Sequence, residues 1–239
     1  MNSSVKTIQL SIVVPFRNEV SLLSQMVEHH RQLQRPRVEF LYVDDGSTDG
    51  GGEELLRLDP LALIHRENGV GVGKAFYAGA QRVSGTFIFL LPVDCVLSPE
   101  GLDELLSALS REQSKVFLFP KHYSLKQKMS AYAWLQNLIL LRGIKLAAWT
   151  NGFVIHRTLV PVLEQSVRDV FLGDLELSRN TRREEWTILK QDLSVSARRY
   201  DEDGTLRRIL LNGVIVLLWL FKLASIPRLH QMYKRGKSV

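Results

Sequence analysis

Tyr42-Val43-Asp44-Asp45-Gly46-Ser47-Thr48-Asp49-Gly50 follows directly on the apolar segment Val38-Glu39-Phe40-Leu41. Two adjacent carboxylates therefore emerge where a predicted strand ends and a loop begins. In an open α/β sheet, ligands bind in the crevice outside the carboxyl ends of the strands. Adjacent Asp side chains in such a place can accept hydrogen bonds from the N–H of a base and the hydroxyls of a ribose. The same residue types also build ordinary turns and caps, and Ser47 or Thr48 could start a helix. Taken alone, the motif leaves both readings open, and the surrounding chain tips it toward function.

Outward from this motif, strands and helices alternate. Ile8 to Val14 reads as a buried strand stopping at Pro15, and Leu22, Leu23, Met26, Val27 and His30 lie at helical spacing within a helix from about Glu19 to Leu33. Val38–Val43 is the second strand, Glu53–Leu58 a short helix, Ala62–His65 a third strand, and Lys74–Val83 the next helix. Thr86–Leu91 and Lys115–Phe119 are further strands, and Ser98-Pro99-Glu100 between them is a helix start. Such alternation predicts an α/β fold: a doubly wound, mostly parallel sheet flanked by helices, with right-handed crossovers.

The second half has a different texture. Met129–Leu141 reads as an apolar helix, Phe153–Ile155 as a short strand, and Asp174–Arg183 as an amphipathic helix. Thr205–Ser225 is the most apolar stretch, but Asn212 and Lys222 interrupt it, short of the roughly twenty apolar residues a bilayer core needs. The expected organisation is one domain over residues 1–200 and a helical extension over 201–239. That extension would pack on the domain, complete a homodimer interface, or lie at a membrane interface.

Composition narrows the class. The chain has 239 residues and a formal net charge of +6. Its basic residues concentrate late, at Arg179, Arg182, Arg183, Arg198, Arg199, Arg207, Arg208 and the Lys234-Arg235-Gly236-Lys237 tail. No aromatic-rich single-strand signature accompanies them, so nucleic acid is not the expected partner. Phosphate-bearing ligands and an anionic membrane face suit the charge better. Cys95 is the one cysteine, which rules out a disulfide framework and a Cys-based zinc site. Met1–Thr7 lacks a leader-peptide layout, so the expected location is the cytoplasm, with the inner face of the cytoplasmic membrane as an alternative.

The remaining chemistry sits at successive strand ends. Pro15-Phe16-Arg17-Asn18-Glu19 follows the first strand, Asp44-Asp45 the second, and Glu67-Asn68-Gly69-Val70-Gly71-Val72-Gly73-Lys74 the third. Glycine-rich backbone at a helix N-terminus cradles phosphate, and Lys74 adds a positive charge. Ala75 after Lys74 breaks the P-loop spacing. Asp94 follows the Thr86–Leu91 strand and is a candidate anchor for Mg²⁺ or Mn²⁺, which take carboxylate and phosphate oxygens.

At this point the chain resembles the inverting nucleotide-sugar transferases of glycosyltransferase family 2, which use the GT-A fold. The matching residues are Val13–Glu19, Val43–Gly50, Gly73-Lys74-Ala75 with Ala78-Gly79-Ala80, and Leu90–Asp94 at the family's Asp-x-Asp position. The resemblance continues through Asn151–Arg157, Gly173–Arg179 and Ser196–Tyr200. Its C-terminal part is most similar to a small subgroup associated with arsenosugar biosynthesis and with radical-SAM/selenodomain proteins. The resemblance implies that Pro15, Arg17, Glu19, Asp44, Asp45, Ser47, Lys74, Val93 and Asp94 hold the donor, a UDP- or GDP-type nucleoside diphosphate sugar. It implies that Asp94 binds the divalent metal, and that Asp174 is the general base for a small-molecule or lipid-linked acceptor hydroxyl. Trp149, Asn151 and Gly152 are acceptor-side candidates.

Two departures stand out: Pro92 replaces the first Asp-x-Asp carboxylate, and Gly173 replaces the acidic residue that commonly precedes the base. They motivate a rival reading, a nucleotide-binding module without transferase activity that serves as a scaffold or partner protein. Elsewhere the expectations are plain. His29 and His30 should be at the surface or partly packed, Cys95 a packed thiol, and Trp134, Trp149, Trp186 and Trp219 core or interface residues.

Overall fold

The computed structural model describes residues 8–111, 113–124, 129–169, 171–198, 200 and 204–235. Met1–Thr7, Arg199, Gly236 and Lys237 lie outside the described residues. In chain order the elements are β1 (Leu10–Phe16), α1 (Val20–Gln32), β2 (Val38–Asp44), α2 (Gly51–Leu58), β3 (Ile64–Arg66), α3 (Val72–Ala80) and β4 (Phe87–Leu90). β5 (Cys95–Leu97), α4 (Pro99–Leu109), β6 (Val116–Leu118), β7 (Lys121–Ser124), α5 (Ser130–Leu141), β8 (Phe153–His156) and α6 (Val160–Ser166) follow. The chain then forms α7 (Gly173–Asn180), β9 (Trp186–Ile188), β10 (Leu193–Ser196), α8 (Thr205–Leu220) and α9 (Ile226–Arg235).

The main sheet has seven strands in the order β3-β2-β1-β4-β8-β6-β9, and a second sheet has three, β5-β10-β7. β3, β2, β1 and β4 run parallel, β8 runs against both β4 and β6, and β9 is parallel to β6. The alternation in β1 explains the two layers. Leu10, Ile12, Val14 and Phe16 face one core with Leu23, Met26 and Val27 of α1 and Leu102 and Leu105 of α4. Val13, with Leu41, Val43, Ile88 and Leu90, faces the other, against Ala75 and Phe76 of α3 and Leu163 of α6. Each buried Val, Leu, Ile, Phe or Met among them contributes about 1.5–3 kcal/mol by leaving water.

Several local readings change. β1 runs through Pro15, which pairs with Val43. The β4 ladder has already ended at Val13 opposite Leu90, so the missing Pro15 N–H removes no bond on that side. The three-stranded sheet has no counterpart in the sequence pattern because its strands are only three or four residues long. His30 is neither at the surface nor only partly packed: it is buried on the core face of α1, with Nδ1 3.0 Å from the Tyr42 hydroxyl. Trp134 is not core, being 66% exposed.

α8 and α9 lie against α7. Ile215, Trp219 and Leu229 form a third cluster with Leu175, and Trp219 Nε1 donates to Glu176 Oε1 at 2.8 Å. Among the described residues no helix is long and apolar enough to cross a membrane.

Candidate active site

Strand direction brings the motifs to one edge. Val13 pairs with both Leu41 and Leu90, so β1, β2 and β4 discharge Arg17–Glu19, Asp45–Gly50 and Pro92–Asp94 on the same side. β8 is antiparallel, with Phe153 opposite Leu90, so the turn before it, Trp149–Asn151, opens on that side too. β6 runs against β8, and its outgoing chain carries Lys121 to the same edge.

The loops after β1, β2 and β3 are tied together by side chains. Asp44 Oδ1 accepts the Ser47 N–H at 2.8 Å, and Ser47 Oγ accepts the Asn18 N–H at 3.1 Å. Asn18 Oδ1 accepts the Thr48 N–H at 2.8 Å. Asp49 caps two helices at once, taking the Val20 N–H at 2.9 Å and the Gly51 N–H at 3.0 Å. Both Asp45 oxygens face the glycine-rich loop: Oδ1 accepts the Val70 N–H at 2.7 Å and Oδ2 the Gly71 N–H at 2.9 Å. Asp44 and Asp45 are 6% and 5% exposed. Gly46, at φ +76°, packs where a Cβ would come 2.9 Å from the Gly69 nitrogen, so only glycine lets the two loops meet. The exposed Arg17 guanidinium lies against Gly69. Lys74 is half-buried in the first turn of α3.

Glu19 is buried and pairs with Arg198 at 2.6 Å, joining the β1 loop to the chain after β10. Asp94 is half-buried, its carbonyl accepting the Ser196 N–H at 3.0 Å and its Oδ1 lying 3.8 Å from Cys95 Sγ. Val93 is likewise half-buried beside it. Among the described residues no three His, Cys, Asp or Glu side chains stand together as a metal cluster. A metal here would take Asp94 from the chain and its other oxygens from a diphosphate, a donor set that suits Mg²⁺ or Mn²⁺.

Asp174 lies at the start of α7, half-buried. Its Oδ2 accepts the Trp149 N–H at 3.2 Å and its Oδ1 the Leu175 N–H at 2.9 Å. Burial raises its pKa above the ordinary carboxylate value, against the opposing pull of those amides and of the Lys121 ammonium. Gly173 has a structural reason. A Cβ there would meet Val167 at 3.1 Å and the Trp149 ring at 3.4 Å, so these side chains fill the place of an accompanying carboxylate. Trp149 itself packs on Phe76 and Phe153. Asn151 is buried, giving Nδ2 to the Phe119 carbonyl at 3.0 Å and taking the Ala148 N–H at 3.1 Å. Gly152 follows at φ +59°.

Three residues at this edge were not singled out from sequence as site residues. Asn18 and Arg198 lay within motifs already noted, but their contacts join loops far apart in the chain. Lys121 is 2% exposed and gives its Nζ to Thr150 Oγ1 at 2.9 Å. Its one sequence signal is a lysine just past the apolar run Val116–Phe119, which by itself reads as a surface residue.

Residues 11–166 match Glycosyl transferase family 2. "Glycosyltransferase GlyG" of Streptococcus pneumoniae is 26% identical over 113 residues, which are 46% of this chain and 38% of that protein. "Polyprenol monophosphomannose synthase" of Mycolicibacterium smegmatis is 34% identical over 108 residues, 41% of this chain and 40% of that one. The chain thus spans well under half the length of these relatives. Among solved structures, the mannosyltransferase PcManGT from Pyrobaculum calidifontis, in complex with GDP-Man and Mn²⁺, superposes with a TM-score of 0.68 at 16% identity. That match covers 93% of this chain and 68% of that one. The fold is therefore α/β of the GT-A type, and the chain belongs to glycosyl transferase family 2.

Proposed function

We propose that this protein transfers a sugar from a UDP- or GDP-type nucleoside diphosphate sugar to a small-molecule or lipid-linked acceptor hydroxyl, with inversion at the anomeric carbon. The observation that carries the reading is the convergence of Asp44, Asp45, Lys74, Asp94 and Asp174 on one sheet edge, with Asp174 turned toward the Trp149 amide. The Asp44–Asp49 loop and Glu19 would line the base and ribose, and Lys74 would face the anionic part of the donor. A divalent metal on Asp94 would supply charge stabilisation to the departing diphosphate. Asp174 would take the proton of the acceptor hydroxyl, a role its half-burial and raised pKa suit.

A lipid-linked acceptor agrees with the outer face of α8. Leu206, Leu210, Val214 and Leu217 are exposed along it, with Phe221 just past its end, and residues 204–239 contain no Asp or Glu. An anionic membrane face attracts such a segment through its lysines and arginines. Sedimentation with anionic vesicles, but not neutral ones, is the expected result; no sedimentation with either would remove the membrane from the proposal.

Calorimetric titration with UDP, GDP and their sugars, with and without Mn²⁺, tests the donor site. One nucleotide series should bind in a metal-dependent manner, and Asp94→Ala should abolish the metal dependence. Nucleotide binding without turnover of any sugar nucleotide would favour the binding-module reading. No binding at all would defeat both.

A further inference from the structure

We infer that Lys121 is a positioning residue for the proposed base: its buried ammonium grips the turn Trp149–Asn151, whose first amide holds the Asp174 carboxylate. The inference rests on the reading of Asp174 as the base. Lys121 is fixed at both ends. Its N–H donates to Asn137 Oδ1 and its carbonyl accepts from Asn137 Nδ2, each at 2.9 Å, which pins β7 to α5. Its Nζ donates to Thr150 Oγ1 at 2.9 Å and to Asn151 Oδ1 at 3.4 Å. The residue before these two, Trp149, gives its N–H to Asp174 at 3.2 Å. One short turn is therefore held between an ammonium and a carboxylate.

An ammonium taken out of water is tolerated only when it is paired and hydrogen-bonded. Thr150 and Asn151 supply hydrogen bonds but no charge. The groups that act on Lys121 electrostatically are Cys95 on β5 first and then the Asp174 carboxylate on α7. Burial brings the Lys121 pKa down to about 8, with both groups opposing that shift. Facing Asp174 are the Trp149 and Leu175 amides and, as the charged partner, Lys121. Gly173 carries no carboxylate, and Glu176 in the same first turn is engaged by Trp219. Asp174 is thus the carboxylate set against the buried lysine.

The test compares pH profiles of kcat/KM for wild type, Lys121→Gln and Lys121→Arg, with donor Kd measured alongside. A nearby opposite charge lowers a carboxyl pKa by about one to three units. The acid limb should therefore move to higher pH in Lys121→Gln and return toward wild type in Lys121→Arg. Donor Kd should stay within about threefold in both. A folded Lys121→Gln with an unmoved acid limb overturns the inference. A readout independent of any Lys121 variant is the ¹⁵N NMR titration of the Lys121 ammonium in wild type and in Asp174→Asn. The coupling is reciprocal, so removing the carboxylate should let the ammonium deprotonate at lower pH; an unchanged titration overturns the inference too. If Asp174→Asn keeps full activity, the base assignment itself fails. If that variant is inactive while Lys121 shows no coupling, the Lys121 inference alone fails.

Discussion

Asp45 accepts the Val70 N–H at 2.7 Å and the Gly71 N–H at 2.9 Å from a side chain only 5% exposed. Hydrogen bonds to a charged group are worth about 1.5–3 kcal/mol each. Asp45→Asn keeps one acceptor oxygen and turns an NH₂ toward an amide N–H, so it should lose one bond, about 1.5–3 kcal/mol. Asp45→Ala loses both. Because Val70 and Gly71 are half-buried, water refills part of the gap, and the loss should fall at or below about 3–6 kcal/mol. Either is a large share of a domain stability of about 5–15 kcal/mol. Urea unfolding reads the loss, hydrogen exchange at Val70 and Gly71 locates it, and donor titration shows whether the loosened loop still binds. If Asp45→Asn matches wild type in both stability and exchange at these two amides, the carboxylate is not what holds the loop.

Three further outcomes follow from packing and burial. Burial, reinforced by His29, lowers the His30 pKa to about 3, below its ordinary 6.5, so the unfolded chain binds more protons between these values. Stability should fall as pH drops below about 6.5, by about 2 kcal/mol at pH 5, and His30→Phe should remove that part of the slope in urea unfolding; an unchanged slope would contradict it. Gly79→Ala puts a Cβ 2.3 Å from Val13 Cγ1, so despite the better helix propensity of alanine the melting temperature should drop, reflecting about 1–3 kcal/mol. A rise in melting temperature would show that α3 can move off the sheet. Trp219 is 5% exposed, bonds Glu176 and lies under the Arg179 guanidinium. Trp219→Ala should cost about 3–5 kcal/mol and expose α8 to limited proteolysis, whereas an unchanged cleavage pattern would mean that other contacts hold α8.

The parallel half of the fold is legible because β1, β2 and β4 are apolar runs ending in loop residues, and Asp44-Asp45 marks one such end. The direction of β8 was not legible, because Phe153-Val154-Ile155 has the same apolar character in either orientation. β7 and β10 are not legible because Lys121-His122-Tyr123-Ser124 and Leu193-Ser194-Val195-Ser196 are too short and polar to stand out from loops. The candidate donor loops could be placed from local spacing, since each follows its strand directly. What Asp45 holds could not, because Val70 and Gly71 come near it only once β3 has paired with β2. The burial of His30 and Lys121 is a tertiary fact: an imidazole at helical spacing and a lysine after a strand carry the same sequence signal whether packed or solvated.

The central claim concerns Asp174, and the most direct measurement is sugar transfer by Asp174→Asn beside its donor affinity. With the donor series and metal fixed by calorimetry, the variant should bind donor with wild-type Kd while its turnover falls by about 10²–10⁴, the usual contribution of a general base. Turnover at the wild-type rate with intact donor binding would contradict the account.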